Sequence, residues 1–326
     1  MGQHQSLAAG AVRLTPPAPG GPARRQLEDG RWHFQHGPID LVIGCDGEAA
    51  ACDEAVARAW ARFGQVLAEL VPALAHLRSP VSGAATWLPP ADTMPIAARM
   101  VAACRPFATR HRLFITPMAA VAGAVADDLV ACFDRPGVRR AYVNNGGDIA
   151  LHLTPGERYD LGIVTRLEAP AIDGRFTLDA AAPVRGVATS GWRGRSFSLG
   201  IADAVTVLAA SGAAADAAAT LIANRVDIDS PAVIRRPANE LKDDTDLGSR
   251  LVTVAVGELS PGEVGRALAA GAAFAEQLCE EGLVAAAALS LRGESRVVRG
   301  APRPGARGGP TGVSRRGCAT ARSSSR

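Results

Sequence analysis

The residue pair best suited to chemistry is Asp216 and Thr220, which stand four positions apart in an alanine-rich run that starts at Ser211. In a helix this spacing places both side chains on one face, one turn apart. A carboxylate and a hydroxyl in that arrangement can hold a hard cation such as Mg²⁺, which takes its other ligands from water and substrate phosphate. The alternative is that Asp216 favours the helix dipole while Thr220 only packs. The pair alone leaves both interpretations open.

A second candidate is the run Asn145, Gly146, Gly147 and Asp148, which lies between two short apolar segments. Asn and Gly tolerate positive φ angles, so this run predicts the turn of a β-hairpin. A backbone without side chains at the two glycines would also let a ligand lie close, with Asn145 and Asp148 offering polar contacts. A plain turn and a ligand-binding turn both fit the pattern.

A third candidate is the turn formed by Thr189, Ser190 and Gly191. Three arginines flank it: Arg185, Arg193 and Arg195. Guanidinium groups around such a turn would suit bidentate capture of a diphosphate, although surface arginines are frequent in this chain. Asp203 follows in a run otherwise fit for a buried strand, so we expect either an edge residue or a polar group directed into a site.

Taken in order, these motifs resemble the ApbE-like superfamily, whose characterised members are Mg²⁺-dependent FAD:protein FMN transferases. The shared patterns are Asn-x-Gly-Gly-Asp-Ile, Ala-Thr-Ser-Gly, and a Val-Thr-Val strand leading into Ala-Asp-x-x-x-Thr. The segments 116–123 and 241–248 are similar to an uncharacterised bacterial and archaeal branch of that superfamily. The chain departs from the flavin transferases at Ala122, where they carry Lys, and in 194–201, where they carry His-x-x-Asp-Pro.

The resemblance implies an α+β fold with ApbE-like mixed sheets and packed helices, binding FAD, another flavin or an adenine dinucleotide with Mg²⁺. It assigns Asp216 and Thr220 to the metal. It assigns the nucleotide to two turns: Asn145, Gly146, Gly147, Asp148, Thr189, Ser190 and Gly191. The catalytic residues are not identified. An FMN transferase-type enzyme with altered catalytic residues and a non-enzymatic scaffold or small-molecule sensor both remain open.

Charge and composition limit the classes of binding partner that the chain is expected to have. The formal net charge is +3, but from Arg292 onward the chain carries nine arginines and one acid, so residues 1–291 are mildly acidic. This distribution gives no nucleic-acid surface and favours a small-molecule ligand. No apolar run is long enough for a membrane span and no signal peptide is evident, so we expect a cytoplasmic protein. The six cysteines lack Cys-x-x-Cys spacing, which indicates neither a zinc site nor a disulfide framework.

The elements that must position these residues follow from periodicity. We expect a flexible segment at 1–29, an ApbE-like domain at 30–291 as one unit or two subdomains, and a disordered tail at 292–326. The predicted helices are 48–77 with a kink at Pro72, 96–104 stopped by Pro106, a helix from Ser211, and 261–278. The predicted strands are 32–34, 39–43, 251–256 and 284–291.

The segment 114–133 carries small residues after Pro117, which suits a first helical turn. Its smooth surface would permit close packing of a helix against a sheet. It would equally permit a phosphate to approach the free N–H groups of a helix N-terminus. The sequence supports the two interpretations about equally.

Overall fold

The structure, a computed structural model, describes residues 20–82, 87–164 and 172–300. The helices are α1 (Ala49–Phe63), α2 (Val66–Leu70), α3 (Leu74–Leu77), α4 (Pro95–Thr109), α5 (Val121–Val130), α6 (Gly212–Arg225) and α7 (Pro261–Glu280). The strands are β1 (Ala23–Gln26), β2 (Trp32–His36), β3 (Ile39–Gly47), β4 (Val138–Asn145), β5 (Asp148–Leu153), β6 (Arg158–Val164), β7 (Ile172–Asp179), β8 (Gly186–Ser190), β9 (Ala204–Ala209), β10 (Val233–Pro237), β11 (Leu251–Val256), β12 (Ala286–Leu291) and β13 (Glu294–Arg299). A 3₁₀ turn, Pro117–Ala120, leads directly into α5.

One large sheet organises the molecule. Its nine strands lie in the order β1-β2-β3-β4-β5-β8-β9-β12-β13, and every neighbouring pair is antiparallel. Two further pairs, β6 with β7 and β10 with β11, form separate two-stranded sheets. The predicted α+β class is confirmed, since helices and antiparallel strands are mixed without the alternation of a parallel α/β sheet.

The two faces of the large sheet bury different partners, because successive side chains of a strand point to opposite sides. On β9, Val205 and Val207 join the main hydrophobic core, which also contains the buried residues of the helices. Leu208 instead joins a smaller cluster that includes Leu178 and Phe176 from the β6–β7 hairpin. The helices therefore cover one face of the sheet, and the β6–β7 hairpin packs against the other.

Two helices differ from their sequence-based predictions. The predicted helix 48–77 ends at Phe63 and resumes at Val66, so its break lies at Gly64 and Gln65 instead of only at Pro72. Gly lowers helix stability more than most residues do. The apolar periodicity continues through Gly64, so the periodicity alone does not predict a break there. The helix predicted to stop before Pro106 runs on to Thr109, and the carbonyl of Pro106 accepts the Arg110 N–H. Proline removes a donor from the ladder, but the packed face of α4 continues on both sides of it.

Ordered structure extends beyond both predicted limits. The strand Ala23–Gln26 lies inside the segment predicted to be flexible, where it pairs with β2. The strand Glu294–Arg299 lies inside the tail predicted to be disordered, where it pairs with β12 over its whole length. Both are polar edge strands whose stability comes from a partner strand, which local composition does not reveal. Residues 1–19 and 301–326 fall outside the described part of the chain.

Among the described residues, no helix combines the length and the apolar character that crossing a membrane requires.

Candidate functional site

The predicted hairpin at Asn145 is present. Asn145, the last residue of β4, pairs with Asp148, the first residue of β5, and Gly146 and Gly147 form the turn between them with φ angles of +65° and +114°. The Gly147 N–H donates to Asn144 Oδ1 over 2.8 Å, which fixes the turn from within. The Asn145 side-chain amide donates to the Ala122 carbonyl over 3.2 Å. The turn is thus fastened to the beginning of α5.

Asp216, on α6, also contacts the beginning of α5. The helix begins after Ser211, whose hydroxyl accepts the Ala214 N–H, so Asp216 and Thr220 occupy its second and third turns. The Asp216 Oδ2 atom accepts the Gly123 N–H of α5 over 3.0 Å. Asp216 and Thr220 are half-buried, while most of α6 is buried. The predicted same-face pair exists, with its carboxylate held at the N-terminal end of α5.

Asp148 lies close enough to Asp216 for the two charges to interact. Burial raises the pKa of Asp148 to about 7, against the opposing effects of the Thr189 N–H and the Arg195 guanidinium. Burial also raises the pKa of Asp216 well above its usual range, and the negative charge of Asp148 raises it further. We call Asp148, Asp216, Thr189, Arg195 and Gly146 the carboxylate cluster. Groups with pKa values displaced by burial and a like charge are typical of functional sites.

Thr189 joins the cluster through its backbone and its side chain. Its N–H donates to Asp148 Oδ1 over 3.3 Å, and its hydroxyl lies 2.9 Å from the hydroxyl of Thr206 on β9. Gly191 follows two residues later, where a Cβ atom would come within 2.5 Å of the Asp203 carbonyl. The predicted turn is therefore wrong for Thr189 and Ser190, which are the last residues of β8 and pair with β9, and only Gly191 lies beyond the strand. The Thr189 N–H joins this end of β8 to Asp148 beside the hairpin turn.

The three predicted arginines have different positions. The Arg195 guanidinium packs over Gly146, since a Cβ atom built there would lie 2.5 Å from Arg195 Nη2. Arg193 stacks on the Trp192 ring at 4.8 Å and lies 3.7 Å from Asp203. Arg185 donates to three carbonyls of its own loop: Ala180, Ala182 and Val184. Of the two possibilities left open by the sequence, a site shared by all three arginines does not fit Arg185, because hydrogen bonds within its own loop hold its guanidinium.

Asp203 serves as a structural acceptor. Its Oδ2 atom accepts the Arg292 N–H over 2.6 Å, and its Oδ1 atom accepts the Trp192 Nε1–H over 3.4 Å. The first alternative from the sequence, a residue at the edge of the strand, is therefore correct. Asp203 joins the loop after β8 to the turn between β12 and β13.

The helix N-termini near the cluster are already capped by side chains. Asp127 of α5 accepts the Gly212 and Ala213 N–H groups of α6 over 2.7 and 2.8 Å. The Gly123 N–H of α5 donates to Asp216. A Cβ atom at Gly123 would lie 2.2 Å from the Gly212 carbonyl oxygen, so the two helix backbones touch. Gly123 thus permits close packing against a helix, where the sequence had indicated a sheet, and the approach of a phosphate to this N-terminus stays a prediction.

Two acidic residues with roles in this region were not assigned any role from the sequence. Asp127, described above, caps α6 from a distance of 85 positions along the chain. Asp246, in the loop between β10 and β11, accepts a hydrogen bond from the Thr116 hydroxyl at the start of the 3₁₀ turn. Burial, Asp216 and Asp246 together raise the pKa of the Cys104 thiol, which places both carboxylates near that sulfur. Thr116 and Asp246 lie in the two segments, 116–123 and 241–248, that are similar to one family branch, and this shared similarity is the sequence feature that could have linked them.

The cluster offers oxygen donors that suit Mg²⁺. Asp148 and Asp216 supply carboxylates whose charges a cation would stabilise, and Thr220 supplies a hydroxyl on the same face as Asp216. Within residues 20–82, 87–164 and 172–300, no three His, Cys, Asp or Glu side chains are grouped to hold an ion. An all-protein cage is therefore absent from this part of the chain. Mg²⁺ ordinarily needs only one or two carboxylates, with water and phosphate as its other ligands.

Comparison with known families gives an extended match. The sequence model of a family described as "AbpE bacteria" matches residues 24–297, which is most of the chain and includes every residue of the carboxylate cluster. This match agrees with the branch indicated by the sequence motifs.

Similar curated proteins come from methanogenic archaea. A UPF0280 protein of Methanoculleus marisnigri is 41% identical over 123 residues, 37% of this chain and 49% of that protein. A UPF0280 protein of Methanothermobacter thermautotrophicus is 37% identical over 153 residues, 47% of this chain and 58% of that protein. The chain thus spans about half the length of these relatives. Among solved structures, the apo form of the Pseudomonas stutzeri flavinyl transferase ApbE has a TM-score of 0.41 and 14% identity, over 86% of this chain and 93% of that one.

Proposed function

The chain belongs to the family described as AbpE bacteria, and on that premise we propose that it binds a flavin or adenine dinucleotide, with FAD the first candidate, together with Mg²⁺. The observation that carries the proposal is that Asp148, which directly follows the Gly146 turn, lies near enough to Asp216 for their charges to interact. Burial raises the pKa of both carboxyl groups, and the charge of Asp148 raises that of Asp216 further, so ionising both is unfavourable without a cation and becomes favourable with one.

In this proposal Asp216 and Thr220 hold the metal. Asp216 already accepts the Gly123 N–H with one oxygen, and this contact fixes the carboxylate while leaving further lone pairs. Bound Mg²⁺ would neutralise the charge of a diphosphate and polarise it. Asp148 adds a second negative charge beside the ion, which favours a divalent cation over a monovalent one.

The nucleotide would lie against the hairpin turn and the neighbouring end of β8. Gly146 and Gly147 present backbone without side chains, and Arg195 above Gly146 provides a planar donor for a phosphate. The Thr189 hydroxyl, which lies 2.9 Å from that of Thr206, would contact the same ligand. The proposed contacts are those of the hairpin turn and of the end of β8: Asn145, Gly146, Gly147, Asp148, Thr189, Ser190 and Gly191.

The residues around the cluster support binding more directly than they support FMN transfer. Ala122 stands where the flavin transferases have Lys, and its carbonyl accepts the Asn145 amide. The segment 194–201 has no His, and it contributes Arg195 to the cluster instead. A transfer reaction would need a protein hydroxyl to attack the diphosphate, with a proton acceptor other than that His. A scaffold or sensor that binds the same ligand without transferring it is the second candidate, favoured by these two departures.

Thermal melting tests the proposal. The purified full chain would be melted with FAD, FMN, ADP or no ligand, each with MgCl₂ or with EDTA. A ligand that binds only the folded state raises the melting temperature, by an amount that grows with its concentration relative to Kd. We expect the largest rise with FAD and Mg²⁺ together. No rise with any ligand in Mg²⁺ would contradict the proposal, and a rise confined to ADP would replace the flavin with an adenine nucleotide.

A further inference from the structure

Two cysteines far from the carboxylate cluster in sequence lie in contact with each other. Cys45 is in β3 and Cys52 is in the first turns of α1, and the Cys45 thiol donates to Cys52 Sγ over 2.7 Å. A disulfide bond is about 2.05 Å long. The two sulfur atoms therefore need only a small movement to become bonded.

The surrounding backbone holds both thiols in place. Cys45 pairs with Ala141 in the large sheet, and Glu48 at the start of α1 donates its N–H to the Gly137 carbonyl over 2.8 Å. A Cβ atom at Gly47 would lie 2.2 Å from that same carbonyl, so the connection between the two cysteines runs against the β4 backbone. The short link from strand to helix fixes the distance between the thiols, and both side chains remain half-buried.

We propose that Cys45 and Cys52 form a redox modification site, a dithiol that closes reversibly into an intramolecular disulfide by exchange with a low-molecular-weight disulfide. Cys52 loses its proton and attacks one sulfur of the oxidant R–S–S–R, which releases one thiolate R–S⁻. Cys45 then loses its proton and attacks the Cys52 sulfur of the mixed disulfide, which releases the second R–S⁻. Each R–S⁻ takes up one of the two protons, so two protein thiols are oxidised and one R–S–S–R is reduced to two R–SH.

The charges around the pair decide how the exchange proceeds. Burial raises the pKa of the Cys45 thiol above its usual range, and Cys52, Asp46 and Asp53 raise it further. Cys45 is thus a weak nucleophile at neutral pH, which is why we place it second. There it attacks a sulfur that is already in contact, so proximity compensates for its low thiolate population.

The other described cysteines have different environments. Cys104 is buried and donates to the Thr116 carbonyl over 3.3 Å. Cys132 and Cys279 are half-buried, with pKa values raised mainly by burial. In the part of the chain that the structure describes, Cys45 and Cys52 make the one thiol–thiol contact.

Thiol counting with oxidised glutathione as the probe tests this site. The reduced full chain would be incubated anaerobically with oxidised glutathione, alkylated, and analysed by intact and peptide mass spectrometry. We expect loss of two alkylatable thiols, a cross-linked Cys45–Cys52 peptide, and a melting temperature about 5 °C higher that returns to its starting value with dithiothreitol.

Single variants make the result specific. Cys45→Ala should carry one glutathione on Cys52 and form no cross-link, and Cys132→Ala should behave like the unchanged protein. Should Cys45→Ala fold poorly, Cys52→Ala removes the other thiol of the pair, which lies half-buried on α1. This variant should also form no cross-link. A two-thiol loss that persists in Cys52→Ala, or an unchanged protein that gives only glutathione adducts, would overturn the proposal.

Discussion

Asp148 and Asp216 bring two negative charges together where solvent screening is reduced. Folding raises the pKa of Asp148 to about 7, above that of an ordinary aspartate. The contribution of this residue to stability is therefore present at acid pH and is lost as the pH rises through 7. A bound divalent cation would reverse this preference, because it favours the ionised form of both residues.

Asp216→Asn distinguishes a role of Asp216 as a metal ligand from a purely structural role. The amide oxygen of Asn can still accept the Gly123 N–H, and the repulsion with Asp148 is removed. We expect the variant to melt at or above the temperature of the unchanged protein in EDTA and to lose the rise that Mg²⁺ produces. Differential scanning fluorimetry across a MgCl₂ series measures both effects.

Asp127→Asn is the matched control for that experiment. Asp127 accepts two N–H groups of α6 with its two oxygens, and Asn can accept with only one. Loss of a helix cap costs about 0.5–2 kcal/mol, so this variant should melt at a lower temperature and keep its response to Mg²⁺. A retained Mg²⁺ response in Asp216→Asn would argue that the carboxylate has only a structural role.

Gly146→Ala tests the closeness of Arg195 to the hairpin turn. Gly146 has a φ angle of +65°, and an added Cβ atom would meet the Arg195 guanidinium. Gly156→Ala is matched in backbone, with φ of +88° and nothing within 4 Å of the added atom. Both changes should cost about 1 kcal/mol from the left-handed backbone. Only Gly146→Ala should also weaken FAD binding. Equal FAD binding by the two variants would show that the position of Arg195 over Gly146 does not contribute to binding.

At the residue scale, the sequence was informative where one local motif supplied the residues of the candidate site. Asp216, Thr220 and the glycines of the turn could be chosen from spacing and resemblance. Asp127 and Asp246 could not, because each acts on a residue far along the chain through a contact that only the fold creates. Arg185 was misplaced for a similar reason, since its partners are three carbonyls whose positions depend on the path of the loop.

Helix α7 begins with a capping box formed by Ser260 and Glu263. Glu263 accepts the Ser260 N–H over 2.8 Å, while the Ser260 hydroxyl caps the first turn and Ser230 donates to the other Glu263 oxygen. These hydrogen bonds lower the pKa of Glu263 to about 2. Because the folded-state pKa is depressed, the stabilisation is present above the unfolded value and is lost as the pH falls through 2.

Glu263→Gln should therefore lose stability in a pH-dependent manner. We expect a lower urea midpoint than that of the unchanged protein at pH 6, and a difference that narrows as the pH falls towards 2. Glu258→Gln, at an exposed carboxylate just before the helix, is the control and should show no such trend. A difference that stays constant from pH 6 to pH 3 would mean that the charge of Glu263 is unimportant.

The loop between β10 and β11 is tied to the centre of the molecule through Asp246. The Thr116 hydroxyl donates to this half-buried carboxylate, whereas Asp244 in the same loop pairs with Arg78 on the exposed surface. Asp246→Ala should cost about 1–3 kcal/mol, because it leaves the Thr116 hydroxyl without this acceptor. Asp244→Ala should change stability by less than about 1 kcal/mol. Urea unfolding of both variants distinguishes them, and equal midpoints would show that the loop is not anchored at Asp246.

At the element scale, the strongest periodic patterns gave correct helices and strands. The helix from Pro261, the strand Leu251–Val256 and the hairpin at Asn145 are all present. The edge strands β1 and β13 were missed, since their polar composition is typical of a tail until a neighbouring strand supplies hydrogen bonds. Long-range pairing, rather than propensity, determines such strands.

In the whole molecule, one antiparallel sheet brings the segments of the candidate site together. β4, β5, β8 and β9 are adjacent, so the Asn145 turn, Thr189 and the beginning of β9 meet at one end of the sheet. Helices α5 and α6, in backbone contact at Gly123 and Gly212, bring Asp216 to the same end. The resemblance predicted that these motifs share a site, while their order across the sheet required the structure.

The central claim is that Asp216 links nucleotide binding to Mg²⁺. Isothermal titration calorimetry of FAD into the full chain tests it most directly, with the unchanged protein in MgCl₂, the unchanged protein in EDTA, and Asp216→Asn in MgCl₂. The account predicts saturable binding in the first titration and a Kd at least about 10-fold higher in the other two, which corresponds to about 1.4 kcal/mol of lost interaction. Equal Kd values in all three titrations, or no binding in the first, would contradict it.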